Sequence, residues 1–257
     1  YLRDAAGNNT NVGVTTFTGD LTIPDKIIHS GDTNTAIRFP AADTFTVETG
    51  GSERLRIDSG GRLLVGTTSA QSVYGNPAVV QIEGTTGATS TMSLVRHGNS
   101  PYLVLGSSGG SSLGAVTALS SGDRIGQITF AGADGTDINT HSASIAAYVD
   151  GSVSSNAVPG RIVFATSTGA SEIERLRITS DGITKFNRYS GTAGKGRIEF
   201  GNSGEQFIEG YDTGNAGSGS YLRFGDGSTE RLRIDSTGII KLYGDGGNNV
   251  KIYGHDG

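Results

Sequence analysis

The chain has 257 residues, of which 42 are Gly, 28 Ser and 28 Thr, and hydrophobic residues make up only 34%. A compact α/β enzyme of this length would need many more Leu, Val and Ile to fill its centre, so a thin or repetitive body is expected. A formal charge of −5 gives no case for binding nucleic acid, and the absence of Cys removes disulfides and thiolate chemistry.

Taken in chain order, residues 1–20 read as a weak strand region rich in Asn and Thr. The chain opens at Tyr1 rather than Met, as expected of a processed product or a fragment. Ile37-Arg38-Phe39 is a short strand, Glu53–Ile57 another, and Arg62–Val65 a third, closing a first segment at residues 1–66. Residues 67–122 form a Gly/Ser-rich β segment that includes the strand Tyr102–Leu105. Within it, 106–122 is either a flexible surface excursion or a tight, glycine-lined packing segment. Residues 123–187 form a β module with strands at 128–130, 144–149 and 162–164. The last segment, 188–257, has strands at Ile198–Phe200, Leu222–Phe224, Ile239–Leu242 and Lys251–Tyr253. No stretch carries a convincing helical stripe, and none is apolar for long enough to insert in a membrane.

Internal repetition is the strongest signal. Glu53-Arg54-Leu55-Arg56-Ile57-Asp58-Ser59-Gly60-Gly61 returns as Glu174-Arg175-Leu176-Arg177-Ile178-Thr179-Ser180-Asp181-Gly182, and again as Glu230-Arg231-Leu232-Arg233-Ile234-Asp235-Ser236-Thr237-Gly238. Alternation puts Leu55 and Ile57 on one face and Arg54 and Arg56 on the other, with the same division in the later copies. The Asp-Ser-x-Gly stretch is a turn with glycine where φ is positive. The arginines, with Glu53, Glu174 and Glu230, read as a structural ladder in which a guanidinium bridges a carboxylate of a neighbouring strand or chain. From the apolar-x-Phe strand to the Leu of the repeat the gap is 16, 12 or 8 residues. Even differences preserve the inward face while a connecting loop lengthens.

A lone sheet of such strands would expose an apolar face and two edges. Three copies wound about a common axis cover both. The expected fold is therefore all-β, an elongated homotrimeric fibre of short strands, repetitive and similar to a triple β-helix or β-prism. A monomeric parallel β-helix or jelly roll is the alternative.

Catalytic patterns are thin. Gly106-Ser107-Ser108-Gly109-Gly110 satisfies G-x-S-x-G without a helix-forming sequel. Gly191–Gly196 resembles a phosphate-binding loop with the wrong spacing. The four histidines lie far apart in sequence, with His29 the best placed to meet symmetry copies. Asp134-Gly135-Thr136-Asp137 lacks the ligand pattern of a calcium loop. Glu172/Glu174 and Glu205/Glu209 are carboxylate pairs by sequence proximity alone. No catalytic residue, metal ligand or cofactor is assigned. Five of the nine tyrosines fall after residue 188, and Tyr189, Tyr211 and Asn215 are the candidate glycan contacts, on loops between repeated strands.

The three Glu-Arg-Leu-Arg-Ile elements, with Gly122–Phe130, Ala143–Asp150 and Pro159–Phe164, resemble the recurrent modules of tail-fibre-like virion structural proteins of marine bacteriophages, especially those infecting cyanobacteria. The resemblance implies a homotrimeric, non-enzymatic fibre segment in the virion. Its implied partners are other tail proteins and a host-surface glycan or protein. A trimeric polysaccharide depolymerase and a bacterial surface fibre or adhesin are the rival readings.

Overall fold

The computed structural model describes residues 18–169, 171–186, 194–200, 206–212, 219–226 and 229–243, and the regular elements among them are all β-strands. The chain divides into two compact units, 1–100 and 101–257. In the first lie β1 (Lys26–His29), β2 (Asp32–Arg38), β3 (Phe45–Thr49), β4 (Ser52–Ile57), β5 (Leu63–Val65), the small ribbon β6 (Ser72–Val73) and β7 (Asn76–Pro77), and β8 (Val80–Ile82). The first sheet runs β1-β2-β3-β4-β5-β8, antiparallel except for the last pair.

The second unit holds two antiparallel five-stranded meanders. One contains β9 (Arg124–Gly132), β10 (Thr140–Val149), β11 (Gly160–Ser167), β12 (Glu172–Ile178) and β13 (Thr184–Phe186). The other contains β14 (Gly194–Phe200), β15 (Gln206–Asp212), β16 (Tyr221–Asp226), β17 (Thr229–Asp235) and β18 (Ile240–Leu242).

The repeat is a bulged strand, which corrects the simple alternation read from sequence. Val47 pairs with Leu55 and Glu48 with Glu53, leaving Arg54 as an extra residue. Arg175 and Arg231 are extra in the same way. In a regular strand residues three apart face opposite ways, and one inserted residue brings them to the same side. Glu53 therefore meets Arg56 at 2.7 Å, Glu174 meets Arg177 at 2.6 Å and Glu230 meets Arg233 at 2.6 Å. These bridges run within one strand, not between strands. The bulged arginine instead ties down the hairpin. Arg54 donates to Thr49 and Arg175 to Thr166, while Arg231 pairs with Asp226 on the neighbouring strand.

The gap argument also needs correction. Phe164 and Phe224 do pair with Leu176 and Leu232, but Leu55 pairs with Val47. The gap of 16 residues after Phe39 holds an entire additional strand, β3, rather than a longer loop. Phe45-Thr46-Val47 carries no Ile/Leu-x-Phe signature, so no motif marks this strand in the sequence.

Each repeat ends in the same turn. The first residue's N–H bonds to the carbonyl four residues on, and glycine at the fourth position takes φ of 74°, 83° and 81° at Gly61, Gly182 and Gly238. A side chain would be strained there. Asp58 Oδ1 accepts from the Gly60 and Arg62 amides, and Asp235 Oδ1 from those of Thr237 and Ile239. Hydrogen bonds hold both carboxyls below the ordinary range, led by the Arg62 amide at Asp58 and the Thr237 hydroxyl at Asp235, which falls to about 2. A carboxyl depressed in the folded state adds stability above its unfolded value near pH ~4 and loses it as pH falls toward the folded value. Melting temperature should thus be flat from neutrality to about pH 5 and drop below about pH 4. Asp235→Asn should make that acid limb shallower, as checked by thermal melts across pH.

Burial is inverted relative to an ordinary sheet. Among the described residues the buried apolar side chains are Ala36, Leu64, Ala146, Val149, Val163 and Phe207. All but Val149 share the face that carries the ion-paired arginines, as their cross-strand partners show. Small residues there are covered by long guanidinium and carboxylate side chains, whose stems shield them from water.

Candidate functional site

The faces opposite the ion pairs carry rows of apolar residues in cross-strand register. In the first sheet one row reads Ile27, Ile37, Val47, Leu55, Val65 and Ile82. A second reads Phe45, Ile57, Leu63 and Val80, and Phe39 packs against Phe45 at 5.9 Å. The second sheet aligns Ile128, Ile145, Phe164, Leu176 and Phe186. The third aligns Ile198, Ile208, Phe224, Leu232 and Leu242. Many of these side chains stand open: Ile57 is 42% exposed and Phe130, in line with Ile128, 53%. Scattered exposed apolar residues are normal, but here they form a contiguous row on each of the three larger sheets. Leu55, Ile57, Leu176, Ile178, Leu232 and Ile234, singled out as repeat residues, all lie on these faces.

The charged faces have their own chemistry. In the second sheet Ser144, Tyr148, Arg161, Glu172, Glu174 and Arg177 line an open hollow of about 290 Å³. Arg161 is fixed by Asp150 at 3.0 Å and Glu174 by Arg177, while Glu172 accepts from Ser144 at 2.9 Å and faces His141 at 3.9 Å. The two glutamates share a surface, yet Glu174 is committed to its guanidinium. In the third sheet Glu209, only 2% exposed, lies between Arg223 at 2.9 Å and Arg197 at 3.9 Å. Glu205 lies outside the described residues. Arg197 and Arg223 also sit over the buried Phe207 ring, 4.0 and 5.0 Å from its centroid. That ring needs Gly225 opposite it, since a Cβ there would come within 2.4 Å of Phe207 and 2.3 Å of the Thr229 carbonyl.

Of the candidate glycan contacts, Tyr211 is in strand β15 rather than a loop. It pairs with Tyr221 across the sheet, rings stacked 5.0 Å apart. Tyr189 and Asn215 lie outside the described residues. Ser108 of the G-x-S-x-G pattern accepts from the Gly110 and Thr117 amides, so its hydroxyl closes a loop. Asp134 takes the amides of Thr136 and Asp137 and the Thr140 hydroxyl, which makes it the anchor of a turn. Among the described residues no cluster of three or more His, Asp or Glu is arranged to hold a metal, and no helix is long and apolar enough to cross a membrane.

The ladder Arg197–Glu209–Arg223 was missed in the sequence because its members belong to three strands with no shared motif. Its only trace was polar residues at alternate positions of Arg197-Ile198-Glu199 and Leu222-Arg223-Phe224.

No family model and no curated protein matches the sequence. Among solved structures, the carboxy-terminal domain of the bacteriophage T5 L-shaped tail fibre is similar at 16% identity, over 78% of this chain and 88% of that one, with a TM-score of 0.49. The same domain with its intra-molecular chaperone domain is similar at 16% identity, over 74% and 60%, with a TM-score of 0.47.

Proposed function

We propose that this chain is a structural, non-enzymatic segment of a bacteriophage tail fibre that assembles as a homotrimer. It serves in the virion as a spacer or carrier for surfaces that recognise the host. The observation that carries the reading is the division of each repeat sheet into two faces. One face satisfies its charges by ion pairs inside the chain. The opposite face presents an apolar row that the described residues leave partly exposed. A solitary enzyme domain closes its core upon itself, whereas here the uncovered rows return with each Glu-Arg-Leu-Arg-Ile element and so ask for a partner at each. The sequence resemblance to tail-fibre-like virion proteins supplies the biological setting. Burying one such Leu, Ile or Phe contributes roughly 1.5–3 kcal/mol, so several rows supply ample driving force for association. Native mass spectrometry should give three times 26.4 kDa, about 79 kDa. A cooperatively folded monomer at nanomolar concentration would sink the proposal.

A further inference from the structure

We infer that residues 92–105 act as strands whose backbone partners lie on a second copy of this chain, an inference that rests on the homotrimeric reading above. Between β8 and β9 no regular element is formed, and Met92, Leu94, Val95 and Tyr102–Leu105 all stand exposed, Val104 at 80%. Four consecutive exposed apolar residues, Tyr102–Leu105, would face both sides of a strand, because alternate side chains of a strand point opposite ways. Among the described residues no backbone N–H or C=O of 92–105 bonds to another backbone group; Ser100 N–H is taken by the Asn99 side chain.

The two deficits have to be met together. Burying these side chains strips water from the backbone beside them, and dehydrated amides need hydrogen-bond partners. A second strand does both at once, by the ladder pairing that extended segments use when they add to a sheet. The position is already set at one end: Leu105 rests on Gly126 of β9, so closely that a Cβ there would lie 2.7 Å from the Leu105 Cβ. β9 is itself an edge strand.

Charge argues for a copy of the same chain as the occupant. Residues 98–122 contain no Asp, Glu, Lys or Arg. Across 98–105 the segment offers nothing to steer an oppositely charged partner, and identical copies brought side by side there meet no like-charge repulsion; Arg96 is the one formal charge within 92–105. A second copy also carries the same apolar segment, so each copy offers the other the strand it lacks.

The test uses the assembled full chain. Hydrogen–deuterium exchange read by mass spectrometry should show the amides of 92–105 slowed at least about 100-fold relative to unstructured peptide. A photoreactive benzophenone residue in place of Leu103, in protein refolded from mixed isotopically light and heavy chains, should yield adducts of mixed isotope. Fast exchange across 92–105 in a sample of trimer mass overturns this inference and leaves the fibre reading standing. Slow exchange with cross-links confined to single chains also overturns it, by assigning the partner strand to the same chain. A monomeric sample overturns the fibre reading itself, and this inference with it.

Discussion

Replacing Ile57 with Asp should leave the first sheet folded and abolish assembly. Within one chain Ile57 is 42% exposed and lies between Phe45 and Leu63 on the open face. A carboxylate there stays in water, and substitutions at such positions usually change stability by no more than about 0.5 kcal/mol. In a trimer that buries the face the balance differs. Three apolar side chains are lost at roughly 1.5–3 kcal/mol each, and three carboxylates are desolvated without partners. Association should weaken by several orders of magnitude. Sedimentation at micromolar concentration would then report single chains, while circular dichroism still reports strand. Arg54→Gln, at the exposed bulge of the same strand, should keep the assembly mass. An unchanged mass for Ile57→Asp would mean that the apolar row is not the assembly surface.

The sequence made the all-β class and the strand-turn-strand repeat legible, because both are local: period-two alternation in Leu55-Arg56-Ile57 and a glycine at the turn need no tertiary information. Two features escaped it for definable reasons. The bulge at Arg54 is set by pairing with β3, and β3 itself had no motif to announce it. Nothing in the string Glu-Arg-Leu-Arg shows that the first arginine drops out of register and hands its place opposite the glutamate to the second. The inversion of burial is a property of whole sheets. Leu64 and Thr46 become the buried residues because they flank Arg56 on the ion-paired face, whereas the string Leu63-Leu64-Val65 offers no hint which leucine is covered. For the same reason Tyr211 looked like a loop residue, between glycines and small polar residues, until its register with Tyr221 put it in a strand.

The largest loss of stability within one chain is expected from Glu209→Ala. This carboxylate accepts from Arg223 at 2.9 Å and lies 3.9 Å from Arg197, and Arg223 reaches on to Glu230 at 3.5 Å, which holds Arg233 at 2.6 Å. Charges therefore alternate across four strands, with guanidiniums over Phe207 and Tyr221 on either side. Removing Glu209 leaves Arg197 and Arg223 facing each other over a buried ring, held only by the exposed Glu199 at 2.8 Å and by Glu230 at 3.5 Å. Breaking a buried pair from one side typically costs about 3–5 kcal/mol, and the partners that remain put the loss here toward the lower end. Glu209→Gln keeps an acceptor for Arg223 and should cost less. Glu199 pairs with Arg197 at 2.8 Å but is 52% exposed, and an exposed pair is worth about 0–1 kcal/mol. Chemical denaturation at one fixed protein concentration should therefore rank Glu209→Ala far below Glu209→Gln, and Glu199→Ala close to the parent. Equal losses for the two alanine variants would mean that exposure does not govern the ladder and that Glu209 is not its clamp. The distinction matters for assembly as well, because a charged face held shut from within leaves the apolar face as the one available for other copies.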